Sequence, residues 1–134
     1  MSFDIDDTGF PLVRISYPAQ ASLEEIEAYG TRLERVLCRG RQATVVDVRA
    51  VSVLQSGAEQ RRYLAQQVDA ATTRHPDTLV AEAVVLNSKI LSAAYTAFNW
   101  LRADSTYPSR AFSTVEAAEG WARAQLLLAG IEAP

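Results

Sequence analysis

Cysteine is almost missing from this chain of 134 residues. Cys38 stands alone, which excludes an intrachain disulfide and a cysteine-only zinc site. Lysine and histidine are as scarce: Lys89 is the single lysine among 13 basic residues, and His75 is the single histidine. No cluster of side chains has metal-ligand spacing, and neither a metal nor a cofactor is expected. No apolar run approaches the roughly 18–20 residues that cross a bilayer, so no membrane partner is expected. There is no excess of positive charge either. The net charge is -3, and a nucleic-acid partner is not expected, because phosphate neutralisation supplies most non-specific affinity for DNA and RNA. Glycine loops of the GxGxxG and GxxxxGKS forms, which cradle phosphates, are absent. The opening residues Phe3-Asp4-Ile5-Asp6-Asp7 are acidic where a targeting leader would be basic, so a cytoplasmic location is expected.

Apolar residues make up 49% of the chain, enough for a core and too many for a disordered regulator. Their spacing alternates between two periods. Phe3 and Ile5 interleave with Asp4 and Asp6 in a half-exposed strand, and Asp7-Thr8-Gly9 supplies a turn in which Gly9 is free to take positive φ. Leu12 to Tyr17 reads as the second arm of a hairpin that Pro18 ends. A capping box of Ser22 and Glu25 opens the first helix, whose stripe is Ile26, Tyr29, Leu33, Val36 and Leu37 and whose stop is Gly40. Ala43 to Val48 and Leu79 to Leu86 are nearly continuous apolar runs, as strands buried on both faces are. Glu82 is the exception within the second run.

Between those strands a second helix is expected from Ser56, capped with Glu59, to His75-Pro76-Asp77. Asn87 or Ser88 caps a third helix with Leu91, Ala94, Tyr95, Phe98 and Leu101 inward. Arg110-Ala111-Phe112 is a short last strand. Ser113 and Glu116 then open a final helix with Ala117, Trp121, Ala124 and Leu128 inward and Gly130 at its end. The order β-β-α-β-α-β-α-β-α predicts an α/β fold in one domain over residues 1–134. An N-terminal hairpin precedes three β-α units, and the mostly parallel sheet is covered by four helices.

Val45-Val46-Asp47-Val48-Arg49-Ala50-Val51, followed by Ser56-Gly57 opening a helix, resembles the central segment of STAS domains, which include the SpoIIAA-type anti-sigma-factor antagonists. Tyr107-Pro108-Ser109-Arg110-Ala111-Phe112, with Glu116-Ala117 and Trp121, is similar to the closing strand and helix of bacterial STAS-like proteins. The resemblance implies a SpoIIAA-like fold and a non-enzymatic domain that binds another protein, or a second copy of itself, in bacterial signalling. In those antagonists Asp-Ser-Ser-Gly or Asp-Ser-Thr-Gly precedes the second helix, and a partner kinase phosphorylates the residue before the glycine. Leu54-Gln55-Ser56-Gly57 occupies that place here, so Ser56 matches the phosphoacceptor while Leu54 replaces the acidic residue.

Ser56 also has a plain structural reading as a helix cap. Open α/β sheets place ligands at the carboxyl ends of their strands. Asp47, Arg49, Gly57, Arg61, Asn87, Ser88 and Lys89 fall there, together with Arg62, and could hold an anion or nucleotide. The plainer reading pairs the arginines with Asp47 and Glu59 or leaves them solvated. A small-molecule binding domain for an anion, nucleotide or lipid is accordingly the alternative to a protein-binding one. His75 at a helix end and Cys38 in the last turn of the first helix have structural readings, with no nucleophile expected beside the histidine. Trp100 falls off its helix's apolar stripe and is a candidate contact residue.

Overall fold

The computed structural model describes residues 2–102 and 107–131. Its elements are β1 (Asp4–Asp6), β2 (Leu12–Ser16), α1 (Leu23–Leu37), β3 (Gln42–Asp47), α2 (Ala58–Arg74), β4 (Leu79–Val85), α3 (Lys89–Trp100), β5 (Ser109–Phe112) and α4 (Val115–Leu128). The predicted order is found. Among the described residues the strands form one sheet in the order β1-β2-β3-β4-β5. β1 and β2 are antiparallel, with Ile5 opposite Ile15, and each later neighbour is parallel. The turn between β1 and β2 closes by a Phe10 N–H bond to the Asp7 carbonyl (3.1 Å). The Asp6 carboxylate accepts from the N–H and hydroxyl of Thr8; contrary to the sequence expectation, Gly9 does not take positive φ, which falls among the described residues on Gly40, Gly130 and Asp77.

Strand alternation divides the core between two faces. On one face Val13, Ile15 and Val46 meet Ile26, Tyr29 and Leu33 of α1 and Val68 and Ala71 of α2. Each such side chain contributes about 1.5–3 kcal/mol by leaving water. α1 and α2 approach closely at Gly30, where an added Cβ would stand 3.1 Å from Cβ of Gln67. On the other face Ala43, Val45, Ala83 and Val85 receive α4 through Ala118, Ala122 and Leu126.

The capping box of Ser22 and Glu25 is present in both directions, at 3.1 Å each. Two other predicted caps are displaced by one residue. α4 is capped by Thr114, which accepts from the Ala117 N–H at 3.2 Å, and not by Ser113. That shift rotates the inward face to Ala118, Ala122 and Leu126, leaving Ala117, Ala124 and Leu128 outside. The alanines suit it, since short side chains let the helix lie near the sheet. α2 begins after Gly57, which caps it without a side-chain bond, so Ser56 is not the helix cap. The Ser56 hydroxyl instead donates to the Ser52 carbonyl at 2.7 Å, a partner inside the preceding loop.

Candidate functional site

The loop from Val48 to Gly57 carries most of what the resemblance singled out. Ser52 N–H bonds the Ala19 carbonyl (2.9 Å), tying the loop to the end of β2. Val51 and Val53 pack it against Val84, Leu86 and Leu91, the start of α3. Ser56 is half-buried, and the Arg61 guanidinium donates to its carbonyl. Leu54, two residues earlier, is 97% exposed.

The other residues expected at the strand ends separate into distinct places. Arg49 grips Asp47 with two side-chain bonds of 2.9 and 2.7 Å, and its own N–H adds a third at 3.0 Å. The arginine side-chain bond holds the Asp47 carboxyl below the usual carboxylate range, and Arg49 is raised in turn. The pair satisfies itself. Ser88 is spent capping α3, accepting from the Leu91 N–H at 3.1 Å, while Asn87, Lys89 and Arg62 are exposed. Of the predicted set, Ser56 and Arg61 come together on one cavity.

That cavity, about 470 Å³, runs between the sheet and the first three helices. Its rim includes the exposed Gln20, Ser22 and Gln55, and Val46, Leu64, Val68, Val84, Leu91 and Phe98 form apolar walls. It exists because α3 stands away from the sheet. Leu91 is the one fully buried residue of that helix, with Ala94, Tyr95 and Phe98 only half-buried and Leu101, expected inward, exposed. Beneath α3 the sheet is polar. The parallel register sets Thr44, Glu82 and Ser109 in a row across β3, β4 and β5. Thr44 is 2% exposed, and its hydroxyl has no hydrogen-bond partner among the described residues.

Glu82, on β4, lines the cavity from its sheet side and is half-buried. Ser109 donates to its carboxylate at 3.1 Å, and the Tyr95 hydroxyl meets the Ser109 hydroxyl in turn. Arg102 lies beyond α3, ion-paired with Asp69 of α2 and donating to the Tyr107 hydroxyl at 2.7 Å. Burial pushes the Glu82 carboxyl up, against the pull of Arg102 and Ser109. Burial likewise pushes the Tyr107 phenol up to about 12, with Glu82 adding to it. Burial opposes the charge on Arg102, but Tyr107, Asp69 and Glu82 outweigh it and raise its pKa. Sequence reasoning passed over this group. The one visible signal was a glutamate inside an otherwise apolar strand.

The raised carboxyl has a consequence for stability. Between its unfolded value and its higher folded one, the native state binds the proton more tightly, so stability falls as pH rises through that window. Glu82→Gln is therefore expected to raise Tm at about pH 8 and to leave it unchanged at about pH 4. Thermal melts of both proteins at the two pH values check this, and an equal shift at both would contradict it.

At the opposite end of the helices, His75 has neighbours that its sequence context did not suggest. Cys38 Sγ stands 3.6 Å from His75 Nε2, and Glu34 Oε1 stands 3.5 Å from the same nitrogen. Both contacts converge on one ring atom, so Glu34 does not orient the ring toward the thiol as a third catalytic group would. Among the described residues no group of three His, Cys, Asp or Glu could hold a metal, and no helix is long and apolar enough to cross a membrane.

No family model and no curated protein matches the sequence. Solved structures do resemble the chain, two of them of named or family-assigned proteins. One is an uncharacterised protein of the DUF3478 family with a SpoIIAA-like fold from Shewanella loihica PV-4, with a TM-score of 0.63 and 13% identity over 90% of this chain and 92% of that one. The other is an anti-sigma factor antagonist from Mycobacterium paratuberculosis, with a TM-score of 0.56 and 19% identity over 91% of this chain and 95% of that one. At such identities the likeness establishes the fold, which is SpoIIAA-like.

Proposed function

On this SpoIIAA-like scaffold, we propose a regulatory domain of bacterial type that works without catalysis, docking another protein on the β3–α2 loop. The observation that carries this reading is Leu54, an apolar side chain 97% exposed at the crown of a loop whose base is packed and hydrogen-bonded. Exposed apolar side chains on a rigid support suit a contact that excludes water. The structural neighbour named as an anti-sigma factor antagonist supports a protein partner in general.

Ser56 is the proposed switch. Its phosphate would stand before α2, whose Gly57 cap brings no side chain to the first N–H groups, and beside Arg61. Free N–H groups, the positive end of the helix dipole and a guanidinium together favour a dianion. Phosphorylation would first release the Ser56 hydroxyl from the Ser52 carbonyl, changing the loop that Leu54 crowns.

The test is quantitative capture from a native lysate with the wild type, Leu54→Asp and Ser56→Asp, each checked for an unchanged melt. A partner held by the wild type should be lost about thirtyfold on Leu54→Asp, the ~2 kcal/mol of a central contact residue. Equal retention by all three proteins would remove the docking loop. Mass spectrometry after incubation with lysate and ATP addresses the switch separately, and phosphate found only at other residues would discard it.

A further inference from the structure

Val51, Val53, Gln55 and Ser56 of the docking loop line the interior cavity from behind, but its apolar walls and Glu82 do not depend on the protein-binding reading. We propose that it is a binding site for a small apolar amine, whose hydrocarbon body fills the space under α3 and whose ammonium group meets Glu82. Its volume of about 470 Å³ falls within the roughly 300–1,000 Å³ usual for small-molecule sites. Its walls are apolar and its sheet side carries the polar Glu82, as in sites that grip a ligand's body and orient its head.

The charge around Glu82 selects the head. Arg102 is the cation there, and it is committed to Asp69 and Tyr107. Glu82 is a second carboxylate. Among the described residues its one hydrogen bond comes from the uncharged Ser109. Of the other charged side chains lining the cavity, Arg61 donates to the Ser56 carbonyl and Glu25 accepts from the Ser22 N–H, so neither is committed to Glu82. A ligand carboxylate placed at Glu82 would meet repulsion, while an ammonium would make a charge-assisted hydrogen bond with it. Thr44, across the β3–β4 register from Glu82, has a buried hydroxyl without a hydrogen-bond partner among the described residues, behind the cavity lining.

Three probes with one skeleton separate the possibilities: 4-phenylbutylamine, 4-phenylbutan-1-ol and 4-phenylbutyrate. Titration calorimetry at about pH 7.5 should rank the amine above the alcohol and the carboxylate last, with the amine at least about tenfold tighter than the carboxylate. Amide chemical shifts should move at Val84 and Leu91. Glu82→Gln, close to isosteric, should cost the amine about tenfold and leave the alcohol nearly unchanged. Ala94→Phe, which fills the cavity from its α3 wall, should abolish binding of all three. The proposal is overturned if the amine shows neither heat nor shifts, if the carboxylate binds as tightly, or if either variant leaves amine affinity intact.

Discussion

Tyr29→Ala is expected to remove about 3–5 kcal/mol of stability and lower Tm by roughly 10–20 °C. Tyr29 is 2% exposed in the middle of α1's inner face. Its ring stacks on Phe3 at a centroid distance of 4.3 Å, and Tyr17 packs edge-on to both. The Tyr29 and Tyr17 hydroxyls meet at 3.3 Å, so the only polar atom of the side chain has a half-buried partner. Burial keeps both phenols far above their ordinary pKa, and neither carries charge in a neutral solution. Alanine would leave a hole lined by two aromatic rings and an unpaired Tyr17 hydroxyl. Tyr29→Phe keeps the stack and should lose only about 1 kcal/mol. Chemical denaturation of the three proteins gives the comparison, and an alanine variant within about 1 kcal/mol of wild type would show that the ring triad is not a main support.

Arg102→Met should be the next most damaging change, by about 2–3 kcal/mol. The Arg102 side chain is 8% exposed and ties the end of α3 to Asp69 on α2, with Tyr107 beneath. This tie matters because α3 has little else to hold it, Leu91 being its one fully buried side chain. Methionine preserves much of the length but removes the guanidinium that pairs with the Asp69 carboxylate. Some solvent reaches Asp69, which keeps the loss below that of a fully enclosed pair. Combining Arg102→Met with Asp69→Leu should return part of the stability, since both charges of the ion pair are then removed together. Urea melts of the single and double variants decide it: no recovery in the double variant would assign the loss to packing alone.

Much of the scaffold was legible from residue patterns. The stripe of α1 and its capping box depend on neighbours within a few turns, and Ile26, Tyr29 and Leu33 are buried as their spacing requires. The apolar runs of β3 and β4 announced strands covered on both sides. The phase of α4 was not legible, because Ala117, Ala118, Ala122 and Ala124 offer almost no contrast, and a cap one residue later rotates the helix. The start of α2 failed for a different reason: Ser56 satisfies its hydroxyl backward, on Ser52, where a sequence pattern looks forward to Glu59. The cavity was invisible in principle. It arises from how far α3 stands above Thr44, Glu82 and Ser109, a separation encoded by residues far apart in the chain. At the strand ends, Asp47 and Arg49 are conspicuous in sequence but neutralise each other, whereas Glu82 lies within a strand.

Each strand lies beside the one made just before it, so the sheet can grow in step with synthesis. One wall waits longer. Ala43, Val45, Ala83 and Val85 are shielded by α4, the last helix in the order, and until it emerges from the ribosome they face water. A nascent or clipped chain ending before Val115 would present that bare greasy plane to chaperones and to its own copies.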